Sequence, residues 1–499
     1  MPEREPLSKV DITSSMQLDG RPLQYDLSHV LHLSDRAHIA PVEDRYMVFN
    51  PDYPGGPALL SAKAHSILQS FLKGATIGDV LSHSDVSLEE GLAIVDSLFD
   101  GAYLRSRENP SRYTADERLD NPISSMSVWV HINNHCNLDC SYCFVNKYKA
   151  EMNSDVIRRT AERLRATANT RNIRTLNIAY AGGEPTLSLK RIQEFHTTLE
   201  AAFSDSFIWR HHAILTNGTN VNDHLIDFCR TQNISMGISL DGFGESHDKH
   251  RVFKKTRRGS WSIIEQNIER LLESGVSAYI MVVTSAETCD TLPALVDWIN
   301  KKKLPIRLSI VRQPDGVWAP KDWKAAYKRL TDRIIPAFEA TFNMLEAPNY
   351  LYRWCASIRI CELHFDHPSF STSCGIGSSH IIVQDDGNVA SCPMTIREKY
   401  AAPADDLILA SSRTIQISPL IRNESREKNC LDCKWFPVCV SGCPVTNERV
   451  KGNPYSISPM HDFYNYVIPR FAEFLARKMY QESNRAGLNQ HVLHSNHLM

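Results

Sequence analysis

Apolar and polar positions along the chain follow two regimes. From residue 25 to about 106, short alternating runs give way to helical spacing. Arg45-Tyr46-Met47-Val48-Phe49-Asn50 alternates as a half-buried strand does, then meets the turn-rich PDYPGGP. Residues 60–72 carry apolar side chains at helical intervals and stop at Gly74. A second helix is predicted from Ser87, where Ser87 and Glu90 have capping-box spacing. Its Leu88, Leu92, Val95, Leu98 and Phe99 form one core-facing stripe. The pattern describes an α+β module over residues 25–110, after a loose lead-in, 1–24. The polar, proline-flanked NPSRYTADERLDNP (109–122) reads as a linker.

Beyond it, apolar strands alternate with longer amphipathic helices. Strands are predicted at 127–132, 175–180, 212–215, 236–240, 278–284 and 306–310, with helices such as 155–167, 189–202 and 262–274 between them. Six such units imply a partial parallel β/α barrel over 124–315, with chemistry at the C-terminal ends of its strands. Residues 317–350 read as connecting helices. From Cys355 the chain turns to short strands, turns and cysteines, then a helix near 462–479. The last stretch, 484–499, with His491, His494 and His497, reads as a polar, frayed tail.

Composition narrows the class. The 499 residues are 42% hydrophobic and 22% charged, which excludes disorder throughout. A net charge of −2 gives no electrostatic case for nucleic acid or an anionic membrane. No apolar run is long enough to span a bilayer, and the first residues lack a signal-peptide core, so we expect a cytoplasmic protein. Thirteen cysteines are many for such a protein, and eleven fall in three groups: 136–143, 355–392 and 430–443. Clustered cysteines in a reducing compartment point to metal or catalysis. Cys229 and Cys289 stand alone in core-like segments.

HCNLDCSYCFV directly follows the first barrel strand and sets Cys136, Cys140 and Cys143 at x3/x2 spacing, with Tyr142 before the last. Thiolates suit iron–sulfur clusters, and four normally close a [4Fe–4S] cube; three leave one iron open. Zinc would want a fourth ligand and paired x2 spacing. This motif, placed after a first barrel strand, resembles the radical S-adenosylmethionine (SAM) superfamily. The resemblance implies a [4Fe–4S] cluster whose open iron chelates SAM, one-electron cleavage to a 5′-deoxyadenosyl radical, and hydrogen abstraction from substrate. Gly182-Gly183-Glu184-Pro185 follows the second strand and is similar to that family's SAM-amino motif. Its glycines are expected to allow close ligand approach and Glu184 to accept from an ammonium. Asn217, Ser239 and Arg251, at or after the ends of strands three and four, complete the expected SAM contacts, with Tyr142. Asn217-Gly218 reads equally well as a turn, and Asp241 as a loop-ordering residue.

Cys430, Cys433, Cys439 and Cys443, with Cys374 and Cys392 upstream, resemble the SPASM domain of peptide-modifying radical SAM enzymes, here assigned to 350–470. By position, one auxiliary [4Fe–4S] cluster would use Cys374, Cys392 and Cys443, with Cys361 or Cys355, and the other Cys430, Cys433 and Cys439. The QDDGN turn predicts a hairpin that sets Cys392 on its return strand and occupies Asp385 and Asp386. Where the family has a final cysteine, this chain has Met460 beside His461; a zinc ribbon on 430–443 is the competing reading. The N-terminal module resembles the PqqD-type element, a winged-helix-like domain that binds leader peptides as an added strand. Residues 25–106 lack the basic cluster of a DNA-binding winged helix.

The combined expectation is a maturase of a ribosomal precursor peptide, forming a thioether, C–C or C–O crosslink, with an electron donor such as flavodoxin or ferredoxin. Two alternatives stand beside it. A sulfatase-maturase-like formylglycine-generating enzyme would carry an aspartate where this chain has Pro393. A non-catalytic iron–sulfur sensor would not cleave SAM. No catalytic base is assigned.

Overall fold

The computed structural model describes residues 17–18, 21–22, 27–51, 56–106, 124–314, 322–342, 379–390, 392–396, 430, 432–439 and 441–494. After a two-residue ribbon (β1 Gln17–Leu18, β2 Arg21–Pro22), the N-terminal module contains β3 Val30–Leu33, β4 His38–Val42, β5 Arg45–Phe49 and β6 Ala58–Leu60. β7 Ala75–Thr76 and β8 Leu104–Ser106 flank β3 in a three-stranded antiparallel sheet. Helices run Ala62–Ser70, Ile77–Ser82 and Leu88–Asp100. The capping box forms as the spacing predicted: Ser87 Oγ accepts from Glu90 N at 3.2 Å, and the Glu90 carboxylate accepts from the Ser87 amide in return.

Alternation along β5 and β6 gives the sheet β4–β5–β6 two buried faces. Val48, Ala58 and Leu60 face Leu68, Phe71 and Leu98 in the module's own core. Met47, Phe49 and Leu59 join the main core of the molecule, with the long helix His461–Ala486. The module is therefore built into the body. The terminal stretch is not a frayed tail: the helix continues to Ala486, and β17 Val492–His494 pairs antiparallel with β6, Leu493 opposite Leu59. The polar letters around Val492 and Leu493 hide a strand too short for periodicity to reveal. His497 lies outside the described residues.

The six predicted barrel strands are present and parallel: β9 Ser125–Asn133, β10 Thr175–Gly182, β11 Trp209–Thr216, β12 Ser235–Ser239, β13 Ala278–Thr284 and β14 Ile306–Ile310, hydrogen-bonded in chain order. Helices Ser154–Thr170, Leu189–Ala202, Asp223–Thr231, Trp261–Glu273 and Leu292–Lys301 connect them. Cys229 and Cys289 are buried among these elements, as expected of isolated apolar cysteines. The sheet continues past β9. β15 His380–Val383 adds parallel to β9, and β16 Val389–Ala390 returns antiparallel to β15. Gly387, at φ +85°, makes that turn, and Asp386 accepts from the Asn388 amide at 3.0 Å. Cys392 sits just past the return strand, not on it, and opens the short 3-10 turn Pro393–Thr395. Cys355, Cys361 and Cys374 lie outside the described residues.

Candidate active site

Beyond Asn133 the chain crosses the C-terminal end of the sheet, carrying Cys136, Cys140 and Cys143. The loop is laced to residues 250–258. Asp139 N donates to Val252 O at 2.9 Å, Lys254 N to Asn137 O at 2.8 Å, and Arg257 pairs with Asp139 at 2.6 Å. Leu138, fully buried, bridges to Phe253. All three thiols are free and partly buried. Burial pushes Cys140 up to about 11 and raises Cys136 as well. A thiol so placed ionises readily only with a cation beside it, as a cluster iron would be. Cys136 Sγ already accepts from Leu138 N (3.4 Å) and Asn217 Nδ2 (3.8 Å), the kind of bond that tunes cluster sulfur ligands. Asn133 Oδ1, Asn134 Nδ2 and His135 Nδ1, at the stem of the loop, are buried with no partner among the described residues. Donor set, burial and unsatisfied polar atoms all fit a cluster with a small polar ligand beside it.

The glycines of the motif have a packing role within this chain. A Cβ on Gly182 would lie 2.5 Å from Asn133 O, and one on Gly183 2.4 Å from His135 O. These glycines let β10 press against the stem of the cysteine loop; their nearest neighbours are backbone of this chain. Glu184 is wholly buried. Its Oε1 accepts from Thr186 N (3.1 Å), Thr186 Oγ1 (2.6 Å) and Thr216 Oγ1 (2.7 Å), and Oε2 accepts from Asn217 N (2.7 Å). It staples β10 to β11, and at most one acceptor direction on Oε2 stays open to an ammonium. Asn217 extends the staple to the loop, its Nδ2 donating to Asn137 Oδ1 at 2.9 Å. Ser239 ends β12, half-buried.

Tyr142 and Arg251 meet on Asp241. The Tyr142 hydroxyl and Arg251 Nε (2.8 Å) both donate to Asp241 Oδ2, and the guanidinium lies 5.6 Å over the Tyr142 ring. Asp241 is completely buried, so this is an enclosed charge pair with a phenol added. Asp241, read from the sequence as a loop-ordering residue, has that role here: its carboxylate ties the cysteine loop to Arg251. Ser141, Tyr142, His250, Ser285, Glu287 and Val311 line a cleft of about 380 Å³ at the ends of β13 and β14.

The second cysteine field is partly assembled. Cys430, Cys433 and Cys439 line one enclosed cavity of about 40 Å³, with Ser441 and His461. Met460, standing where a cysteine was expected, is instead part of the main hydrophobic core. Cys443 caps the helix Pro444–Lys451. The N-terminal module abuts this segment: Arg36 Nη1 donates to Cys433 O at 2.8 Å, and His38 and Phe49 pack on Trp435 at 5.4 and 6.3 Å.

With this geometry in place, comparison with known proteins identifies the class. Residues 130–299 match the model of the radical SAM superfamily. The chain therefore carries a radical SAM domain and is an enzyme; that superfamily uses a [4Fe–4S] cluster and SAM. It is 24% identical over 332 residues to a cysteine-type anaerobic sulfatase-maturating enzyme of Clostridium novyi (strain NT), covering 63% of this chain and 86% of that protein. A serine-type anaerobic sulfatase-maturating enzyme of Klebsiella aerogenes is 23% identical over 354 residues, covering 64% and 81%. The fold resembles that of native anSMEcpe with bound AdoMet and Cp18Cys peptide, with TM-score 0.51 and 18% identity, over 72% of this chain and 98% of that one. Among the described residues, no helix is long and apolar enough to cross a membrane.

Proposed function

We propose that this chain is a maturase of a ribosomally made precursor peptide, installing a thioether, C–C or C–O crosslink. The observation that carries this reading is the packing of the N-terminal module onto the cysteine-rich segment through Arg36, His38 and Phe49. A peptide held by that module enters next to cysteines assigned to auxiliary clusters.

In this reading Cys136, Cys140 and Cys143 hold the [4Fe–4S] cluster, which with SAM supplies 5′-deoxyadenosyl-radical chemistry when bound. The chain's own residues position and shelter that centre. Asp241 fixes Tyr142 and Arg251 against the loop, Glu184 and Asn217 hold the strand ends beneath it, and Leu138 with Phe253 keeps water from one side. Ser239 and Gly182-Gly183 border the SAM side. Cys430, Cys433 and Cys439 are assigned to one auxiliary cluster, and Cys392 and Cys443 with Cys374 and Cys361 to another. A flavodoxin or ferredoxin is the expected electron donor.

Formylglycine formation is the second reading, favoured by the names of the relatives. Two features oppose it. Pro393 follows Cys392, so no carboxylate stands there. The sulfatase-maturating relatives are covered over most of their length, yet over a quarter of this chain lies outside the match to anSMEcpe.

The experiment is anaerobic. Reconstituted wild type and a Cys136/Cys140/Cys143→Ala variant are given dithionite, SAM and a precursor peptide, and 5′-deoxyadenosine and peptide mass are read together. Crosslinking removes two hydrogens and keeps the cysteine sulfur; formylglycine formation from cysteine expels it. A desulfurised product would replace the first reading with the second. A wild type that makes no 5′-deoxyadenosine with a full cluster would defeat both.

A further inference from the structure

On the outer side of the barrel, toward the N-terminal end of β11, three side chains with ligand chemistry meet far from the thiol loop. His196 and Glu200 lie one turn apart on the helix Leu189–Ala202 and share a face. His212, on β11, projects to the same point, and the ligand atoms of all three lie within 4.8 Å of one another. His212 Nε2 is 3.0 Å from Glu200 Oε1. His196 is only 6% exposed, yet its ring makes no hydrogen bond among the described residues; it contacts the ring of His212 at 4.6 Å and that of Phe228 at 5.6 Å. A ring nitrogen that reaches the cavity without a protein partner is available to an incoming ligand. The three residues border an open cavity of about 670 Å³, whose rim includes the exposed Phe207 and Trp209.

We propose that His196, Glu200 and His212 form a binding site for a divalent metal ion of the zinc class, with its fourth position open to this cavity. Two imidazoles and a carboxylate suit zinc and not an iron–sulfur cluster, and three protein ligands leave room for water or an anionic oxygen. Protonation favours it. Burial, then the neighbouring His212, hold His196 down at about 4, so its lone pair is free at neutral pH. Hydrogen bonds from His212 and Arg210 hold Glu200 well below the usual carboxylate range.

The surroundings already act as supports. Tyr180 Oη meets His212 Nδ1 at 2.9 Å, turning Nε2 toward the site. Arg210 grips both Glu200 oxygens at 2.8 Å and orients the carboxylate. The ion takes the place of the proton that His212 Nε2 shares with Glu200 Oε1. On a neutral ring that proton moves to Nδ1, which then donates to the Tyr180 oxygen, and none is released. The Arg210 charge weakens the site relative to one without it.

Full-length protein with its clusters reconstituted, so that cysteines hold iron, is equilibrated with Zn²⁺, desalted and assayed for zinc and iron. Wild type is expected to retain one zinc more per chain than His196→Leu, at equal iron, and to gain melting temperature with Zn²⁺ where the variant does not. His196 makes no hydrogen bond among the described residues, so the variant is expected to fold, checked by circular dichroism. Glu200→Gln, which removes a direct ligand, is expected to weaken zinc binding by more than the ~10–100-fold cost of losing an outer-shell support. The C-terminal histidines are common to all three proteins and cancel. Equal zinc in wild type and His196→Leu, with equal melting shifts, overturns the proposal.

Discussion

His247 shows how tightly the loop behind the thiols is specified. Its Nδ1 accepts from Asp241 N at 3.3 Å, and its Nε2 faces Ser260 Oγ at 3.0 Å, whose own proton goes to Arg251 O. The ring is therefore neutral and protonated at Nε2, and a second proton would face an N–H. Burial lowers its pKa from 6.5 to about 4, against the pull of Asp241 and Asp248 and with the push of Arg251 and His250. Because the folded value lies below the unfolded one, the unfolded chain binds the extra proton first. Stability is lost as pH falls from about 6.5 toward about 4, by up to ~1.4 kcal/mol per pH unit. We expect a larger drop in melting temperature from pH 7 to pH 5 in wild type than in His247→Gln; equal drops would refute the neutral assignment. Asp241→Asn leaves Arg251 buried without its charge partner and is expected to cost about 3–5 kcal/mol, with cluster iron lost in parallel. Tyr142→Phe removes one hydrogen bond and is expected to cost about 1 kcal/mol. Both are read by melting temperature and iron content. Tyr142 and Arg251 were legible as candidate SAM contacts, by resemblance to the radical SAM pattern. Their union through Asp241 was not, because it joins positions 99 and 10 residues apart.

At the scale of elements, periodicity carried most of the information. β13 and β14 fall at the predicted residues, β9 and β11 extend the predicted strands by one to three residues at each end, β10 extends its own by two at the C-terminal end, and the helix after Ser87 starts at its cap. Such elements bury one face and show it in their spacing. What periodicity cannot show is why a glycine is needed. Gly182 and Gly183 suggest a ligand cradle when read alone. In the fold they are where β10 and the cysteine loop touch backbone to backbone. It follows that Gly183→Ala acts on the loop before it acts on SAM. The new methyl would sit 2.4 Å from His135 O, which cannot yield without moving the stem one residue before Cys136. We expect the variant to reconstitute with clearly less iron at the first cluster, seen as reduced absorbance near 400 nm and reduced iron count. Full iron with weakened SAM binding would return the glycines to the ligand-cradle role.

The arrangement of the whole molecule depends on its last described strand. β17 adds to the free side of β6 and buries Val492 and Leu493. It is held by Arg45 Nη1 to Gln490 O (2.8 Å), His491 Nδ1 to Ser61 Oγ (2.8 Å) and His494 Nε2 to Ser97 Oγ (3.0 Å). The chain thus closes on itself: the N-terminal module is completed by residues more than 400 positions away from β6, through the helix that also packs on the barrel. A module expected to accept a peptide as an added strand has one of its sheet edges taken by its own C-terminal segment. Removing residues 488–499 uncovers that edge and forfeits roughly 1.5–3 kcal/mol for each of the two apolar side chains, so melting temperature is expected to fall. The same deletion should leave a strand-accepting edge open. A labelled peptide of residues 488–499, added in trans, is expected to bind the shortened protein and not the full chain, and to restore its melting temperature. If the shortened protein stays folded and binds no such peptide, β6 is a structural edge only, and peptide addition must use the outer edge of β4 or the β7–β3–β8 sheet. If it binds, any substrate segment that pairs with β6 has to displace β17 first, and its affinity for the shortened protein will exceed that for the full chain.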